Sequence, residues 1–262
     1  MKSKFIFLTA LFAAVLTSCV TTSFYQVYKA VPSEKITPKE SNLVYEDENC
    51  IVYYNLWGEG GNIGFRFYNK TDKNIYLNME ESFFILNGMA FNYYLNRVFT
   101  NSTNTGTTIP NSKPLKPNNA RVVNTSGYSV SRNEEKIVCI PSKASKAISE
   151  YSINQNIYRD CDLFRFPLRS QITTKNFTKS NSPFVFSNKI EYKLGLTGNP
   201  VKFENEFYVT EITNYPEPEI MERRPEEYCG QKIMNMELFF KNSSPDKFYI
   251  KYMKLPQEFW RH

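Results

Sequence analysis

Asn49-Cys50-Ile51-Val52-Tyr53-Tyr54-Asn55-Leu56-Trp57, closed by Gly58-Glu59-Gly60-Gly61, sets Cys50, Val52, Tyr54 and Leu56 on one face and Ile51 and Tyr53 on the other. A period of two in β-branched and aromatic residues suits a pleated strand apolar on both sides, and the glycine cluster turns the chain. Outward from this stretch the pattern repeats at short intervals. Ile63–Tyr68, Ile75–Met79, Ser82–Leu86 and Met89–Tyr94 read as strands. Asn69–Lys73 is a turn, and Asn87-Gly88 is a hairpin signal. Further along, Arg121–Val123, Lys136–Ile140, Phe184–Phe186, Lys189–Leu194, Glu206–Thr213, Met234–Phe240 and Lys247–Met253 read the same way. Ser142–Tyr151 is expected to be a strand, because its helical spacing is short and lies among strands. Asn101–Asn119 reads as a long surface loop, Ala30–Asn42 as a linker and the proline-containing Tyr215–Gln231 as a long connection, with Phe24–Tyr28 a short strand before the linker. These observations predict an all-β, antiparallel Ig-like or related β-sandwich, in one extended or two packed modules.

The N-terminus carries a different signal. Lys2 and Lys4 precede the apolar run Phe5–Leu16, and Leu16-Thr17-Ser18-Cys19 follows. This run of twelve residues is too short for a membrane-spanning helix, which needs about 20, but it fits the core of a signal peptide. Leu16-Thr17-Ser18-Cys19 resembles the lipobox of bacterial lipoproteins. That resemblance implies cleavage before Cys19 and acylation of Cys19, with palmitate among the acyl chains. Two chains already hold a protein firmly on a bilayer. Val20, rather than an aspartate, implies sorting to the outer membrane, and the lack of acidic residues in Val20–Lys29 implies its periplasmic face. The composition gives a general likeness to uncharacterised Bacteroidetes lipoproteins. The expected organisation is a leader over 1–18, anchor and linker over 19–45, a first β module over 46–141 and a second over 142–262.

Composition narrows the chemistry. The 262 residues carry +6, of which +4 remains when Lys2 and Lys4 leave with the leader. The basic residues are scattered, so no nucleic-acid partner is expected. The single histidine is His262. A Ser-His-Asp triad, a Cys-His pair or a multi-histidine zinc site therefore cannot form within one chain, and no metal or other cofactor is expected. Carboxylate pairs are the remaining catalytic candidates: Glu80/Glu81, Asp160/Asp162 and Glu204/Glu206. A glycosidase needs two carboxyls roughly 5–10 Å apart across a cleft, and Glu204/Glu206 share one face of an expected strand. Each pair reads more simply as solvated surface. Cys50, Cys139, Cys161 and Cys229 remain after Cys19, and in an oxidising compartment at least one disulfide is expected among them, with three pairings open. Trp57 beside the glycine turn, with Tyr53, Tyr54, Tyr93 and Tyr94, is a candidate aromatic platform for sugars, against core packing as the simpler account.

The expected function is a non-enzymatic binding or structural accessory of the cell envelope. A fimbrial subunit or fimbria-associated protein is one alternative. Against it, maturation by Arg-specific cleavage needs an early arginine, and the first after Cys19 is Arg66, inside an expected strand. A carboxylate-dependent glycan hydrolase, or a glycan-binding protein, is the other. One internal echo stands out. Phe65–Tyr76 and Leu238–Tyr249 both read as strand, Asn-x-Ser/Thr turn, Asp-Lys, strand. Either two related modules or convergent hairpin turns would produce it.

Overall fold

The computed structural model describes residues 22–107 and 124–255. The expected leader, Cys19, Arg121–Val123 and His262 lie outside these residues. The chain forms β1 (Ser23–Pro32), β2 (Ile36–Lys39), β3 (Asn42–Glu46), β4 (Cys50–Tyr54), β5 (Phe65–Asn69) and β6 (Ile75–Asn78). The hairpin β7 (Phe83–Leu86) and β8 (Met89–Asn92) follows, then β9 (Val98–Thr107) and β10 (Asn124–Asn133), β11 (Ile137–Ile140) and β12 (Ser145–Ile148). The second half supplies β13 (Thr174–Asn176), β14 (Val185–Leu194) and β15 (Pro200–Pro216), then one short helix, α1 (Glu217–Ile220). It ends with β16 (Met221–Tyr228), β17 (Gln231–Phe240) and β18 (Lys247–Met253). The molecule is all-β and sandwich-like, and the strand pairs are antiparallel.

Two sheets share one core. The larger runs β11–β6–β14–β15–β1–β18, with β7, β8 and β13 joined at its flanks, and the smaller runs β12–β5–β4–β3–β2. Strand alternation does the sorting: Cys50, Val52 and Tyr54 of β4 point inward and are fully buried, whereas Ile51 and Tyr53 are half-buried on the outer face. Aromatic contacts stitch the layers together. Phe67 meets Tyr192 at 5.7 Å, Tyr54 meets Phe207 at 5.3 Å, and Tyr45 stacks on Phe203 at 4.6 Å. Fully burying a ring such as Phe67 or Phe207 contributes roughly 1.5–3 kcal/mol.

The expected boundary between 46–141 and 142–262 does not separate two modules. β12 pairs with β5, and β14 pairs with β6 and β7, so each sheet takes strands from both sides of that boundary. The expected linker is also strand. β1 lies between β15 and β18, and β2 and β3 complete the smaller sheet. Likewise, 101–107 of the expected surface loop belongs to β9, the rest of that loop lying outside the described residues, and Met221–Tyr228 within the expected connection forms β16. The two echoing segments are not hairpins: β5 to β6 and β17 to β18 each pass from one sheet to another. At the first corner Asn69 is fully buried and donates to the carbonyls of Lys73, at 2.8 Å, and Ile140, at 3.1 Å. That is where an asparagine suits a buried corner whose backbone carbonyls would otherwise lack partners.

Two ribbons stand apart from the sheets, β9–β10 and β16–β17. Arg97 fixes the root of the first by binding both Glu134 and Glu150. The root of the second rests on β1 and β18, where the surface described next is built.

Candidate binding surface

Leu56, fully buried, carries the chain from β4 into the glycine turn, and its N–H donates to Pro245 O at 2.9 Å. Gly60 and Gly61 adopt φ of 76° and 77°, a region that side chains disfavour. The turn then docks on β18: Gly60 N–H donates to Tyr249 O at 2.8 Å, and Tyr249 N–H to Gly58 O at 3.2 Å. Trp57 is thereby laid across Tyr249, with ring centroids 5.2 Å apart, and edge-on to Phe240 at 4.9 Å. Phe240 and Tyr249 meet at 4.6 Å, and the buried Tyr25 lies beneath both, at 5.6 and 5.8 Å. Trp57, Phe240 and Tyr249 are half-buried. The Trp57 indole N–H has no acceptor among the described residues.

The aromatic cluster continues onto the β16–β17 ribbon. Phe240, Leu238 and Met236 share one face of β17, opposite Met221, Arg223 and Pro225 of β16. Leu238 is 48% exposed and Met236 54%. A cleft of about 300 Å³ beside them is lined by Glu217, Pro218, Met221, Arg223 and Leu238. The rim is polar: the Tyr25 hydroxyl donates to Glu217 at 3.4 Å, and Lys251 Nζ lies 5.6 Å over the Tyr25 ring. Burial raises the Tyr25 hydroxyl above its usual range, and its hydrogen bond with Tyr25 holds Lys251 more firmly protonated than a free lysine. A partly exposed aromatic cluster running into an apolar strip, edged by charges of both signs, can take a partner by apolar contact with a hydrogen bond at the indole.

Trp57 was legible as a candidate contact, but its partners were not. Of the expected platform, Tyr54 and Tyr93 are core residues: the Tyr54 hydroxyl accepts from Asn205 at 2.8 Å, and the Tyr93 hydroxyl donates to Asn188 at 2.7 Å. Tyr53 lies under Arg66 at 4.2 Å, and Tyr94 near Lys136 at 5.2 Å. Alternation along β4 sends Tyr53 and Tyr54 to opposite faces. Phe240 and Tyr249 were missed because only the fold brings them beside Trp57. Their local signal was the alternation of Met236, Leu238 and Phe240.

The carboxylate pairs are drawn into ion pairs or opened to solvent. Glu80 bonds Lys136 at 3.1 Å, and Glu81 lies 3.5 Å from Lys202. Asp160 and Asp162 both bind Lys175, at 3.0 and 2.5 Å. The Asp162 backbone N–H and then Lys175 hold the Asp160 carboxyl below its usual range, the opposite of what a general acid needs. Glu204 and Glu206 do share an outer face of β15 and line an open cleft of about 440 Å³ with Ser33, Glu34 and Lys35. Ser187 donates to Glu204 at 2.6 Å and Lys179 pairs with Glu206. No group of three or more His, Cys, Asp or Glu among the described residues could hold a metal ion.

The expected disulfide is not formed: Cys50, Cys139, Cys161 and Cys229 are free thiols. Cys50 points into the core, while Cys139 points outward between the buried Val138 and Ile140. Cys161 sits in the turn clasped by Lys175, and Cys229 at the tip of the β16–β17 ribbon. Burial pushes the Cys50 thiol far up, so it behaves as a small apolar core residue.

No family model matches the chain. Neither a curated protein nor a solved structure matches it.

Proposed function

We propose that the chain is a lipid-anchored accessory of the cell envelope, held at Cys19 on the periplasmic face of the outer membrane, and that it binds an envelope partner through Trp57, Phe240 and Leu238. The observation that carries the binding reading is the continuity of the half-buried aromatic cluster with the exposed apolar face of the β16–β17 ribbon. The anchor reading rests on Leu16-Thr17-Ser18-Cys19. No helix among the described residues is long and apolar enough to cross a membrane, so attachment in this reading falls to the lipid. Fimbrial maturation by Arg-specific cleavage is not part of the proposal. Arg66 lies within β5, paired to Tyr53 and Ala147 on either side, and cutting there would break the smaller sheet.

The test has two arms. Labelled palmitate should enter the wild type and not Cys19→Ala, which should leave the membrane fraction. A photo-reactive side chain placed at Leu238 should cross-link a partner in cells, and Trp57→Ala should abolish the cross-link while leaving the melting curve cooperative. Palmitate labelling that survives Cys19→Ala refutes the anchor. Equal cross-linking from Leu238 and from the distant Leu196 refutes the surface. A glycan partner is the second reading, favoured by the unpartnered indole N–H. Retention on immobilised polysaccharide, lost in Trp57→Ala, would select it.

A further inference from the structure

The linker expected between the anchor and the fold is absent from the described chain: β1 begins at Ser23, and only Val20 and Thr21 stand between Cys19 and Thr22. At 3.3–3.6 Å per residue, that segment reaches about 10 Å at full extension. An acyl group on Cys19 would therefore hold one end of the sandwich against the lipid headgroups. Which end is fixed by register. Ser23 pairs with Met253, and Lys254 N–H donates to Thr22 O at 3.2 Å. Phe24 packs on Phe166 at 5.2 Å and on Tyr252 at 5.8 Å, and the Tyr252 hydroxyl donates to Arg165 O, so the 163–168 segment is pinned to the same end.

This end exposes apolar and basic side chains together. Leu168 is 67% exposed, Leu255 58% and Met253 51%. Basic side chains stand among them: Arg165 lies 4.9 Å over the Phe166 ring, Lys254 lies 5.4 Å over the same ring, and Arg169 is largely exposed. Arg169 also lies 3.4 Å from the half-buried Glu219. Apolar tips within reach of cations match a bilayer interface, where aliphatic side chains enter the headgroup boundary and cations meet anionic lipids.

We propose that this end of the sandwich is a lipid-docking face, with Leu168, Met253 and Leu255 entering an anionic phospholipid surface and Arg169 and Lys254 meeting its headgroups. The proposal rests on acylation of Cys19, which brings that face within about 10 Å of the bilayer. The body then stands on the membrane with fixed orientation, its β14–β15 tip at Leu196 pointing away. The seventeen residues of β15, from Pro200 to Pro216, span the distance between that tip and Phe24. At about 3.3 Å per residue that is roughly 50 Å along the strand.

The experiment uses the full lipidated chain reconstituted in phosphatidylethanolamine–phosphatidylglycerol vesicles, with Cys139, Cys161 and Cys229 replaced by serine. A nitroxide label is placed through Leu168→Cys or, as control, Leu196→Cys. Both positions are exposed, so neither label need disturb the core. Labelled palmitate monitors the anchor in the same samples. With palmitate present, the ratio of oxygen to aqueous nickel accessibility should rise several-fold at 168 and stay unchanged at 196. Adding Arg169→Glu and Lys254→Glu should reduce the rise at 168. Palmitate present with 168 as aqueous as 196 overturns the docking face and leaves the anchor standing. A fall in both accessibilities at 168 marks a protein occupant, a second copy included, and also overturns it. Absence of palmitate overturns the anchor and the docking face together.

Discussion

Gly61→Ala should destabilise the protein by roughly 2–5 kcal/mol, and the figure follows from two separable causes. The first is conformational. Gly61 has φ of 77°, and an L-residue held in the left-handed region costs about 1–2 kcal/mol. The second is steric. A Cβ at Gly61 would sit 2.7 Å from Ile153 Cδ1 and 2.9 Å from Phe248 Cγ. Neither neighbour yields easily, since Ile153 is 2% exposed and the fully buried Phe248 is stacked on Tyr28 at 4.5 Å. Forcing a methyl group into such a core typically costs 1–3 kcal/mol. Gly88→Ala isolates the first cause: Gly88 has φ of 83° but nothing within 4 Å of its would-be Cβ, so about 1–2 kcal/mol is expected there. Urea unfolding of both variants, compared with the parent at unchanged m-value, reads the two losses directly. If Gly61→Ala and Gly88→Ala lose the same stability, the packing of the glycine turn against Phe248 and Ile153 is not as described.

Alkylation of the native chain should modify Cys139, Cys161 and Cys229, and Cys50 only after denaturation; a native chain from which one of the three exposed thiols is missing, with a disulfide mass in its place, would refute the free-thiol arrangement. Asp160→Asn should cost stability at neutral pH, and the cost should fade in acid. The folded Asp160 carboxyl lies below its usual value of 3.8, so its contribution is present above that value and lost as pH falls through the folded one; a cost independent of pH between 7 and 2 would contradict it. A screen of envelope and dietary polysaccharides should show no turnover, and any turnover lost in Glu204→Gln or Glu206→Gln would install the β15 cleft as a glycosidase site.

Strands with strict alternation were legible, because burial on one face of a pleat leaves a period of two in the sequence. Asn49–Trp57 delivered β4, and Asn87-Gly88 delivered the β7–β8 hairpin. Proline misled the reading in two places. Ala30–Asn42 read as a linker because of Pro32 and Pro38, yet Pro32 ends β1 and Pro38 lies on β2, the outermost strand of its sheet, where a missing N–H is tolerated. Tyr215–Gln231 read as a connection because of Pro216, Pro218 and Pro225. Pro216 ends β15, Pro218 falls in the first turn of α1, and Pro225 sits beside the register shift of a two-stranded ribbon. The candidate site was half legible. Trp57 advertised itself beside a glycine turn, but which aromatics it meets is a property of long-range pairing. The cysteine expectation failed for the same reason: residue type carried the argument, and strand alternation sent Cys50 and Cys139 in different directions.

The position of β1 between β15 and β18 sets the order in which the chain can finish folding. Both of its neighbours, Pro200–Pro216 and Lys247–Met253, leave a ribosome or a translocation channel long after β1 does. Until then Phe24, Tyr25 and Tyr28 have no sheet to enter, and the apolar strand stays open to other chains. Closing so long a loop is slow, and an unpaired strand of this kind is where aggregation starts. The same strand that joins segments so far apart in the chain therefore leaves the sheet incomplete, and β1 in need of shielding, until Lys247–Met253 arrives.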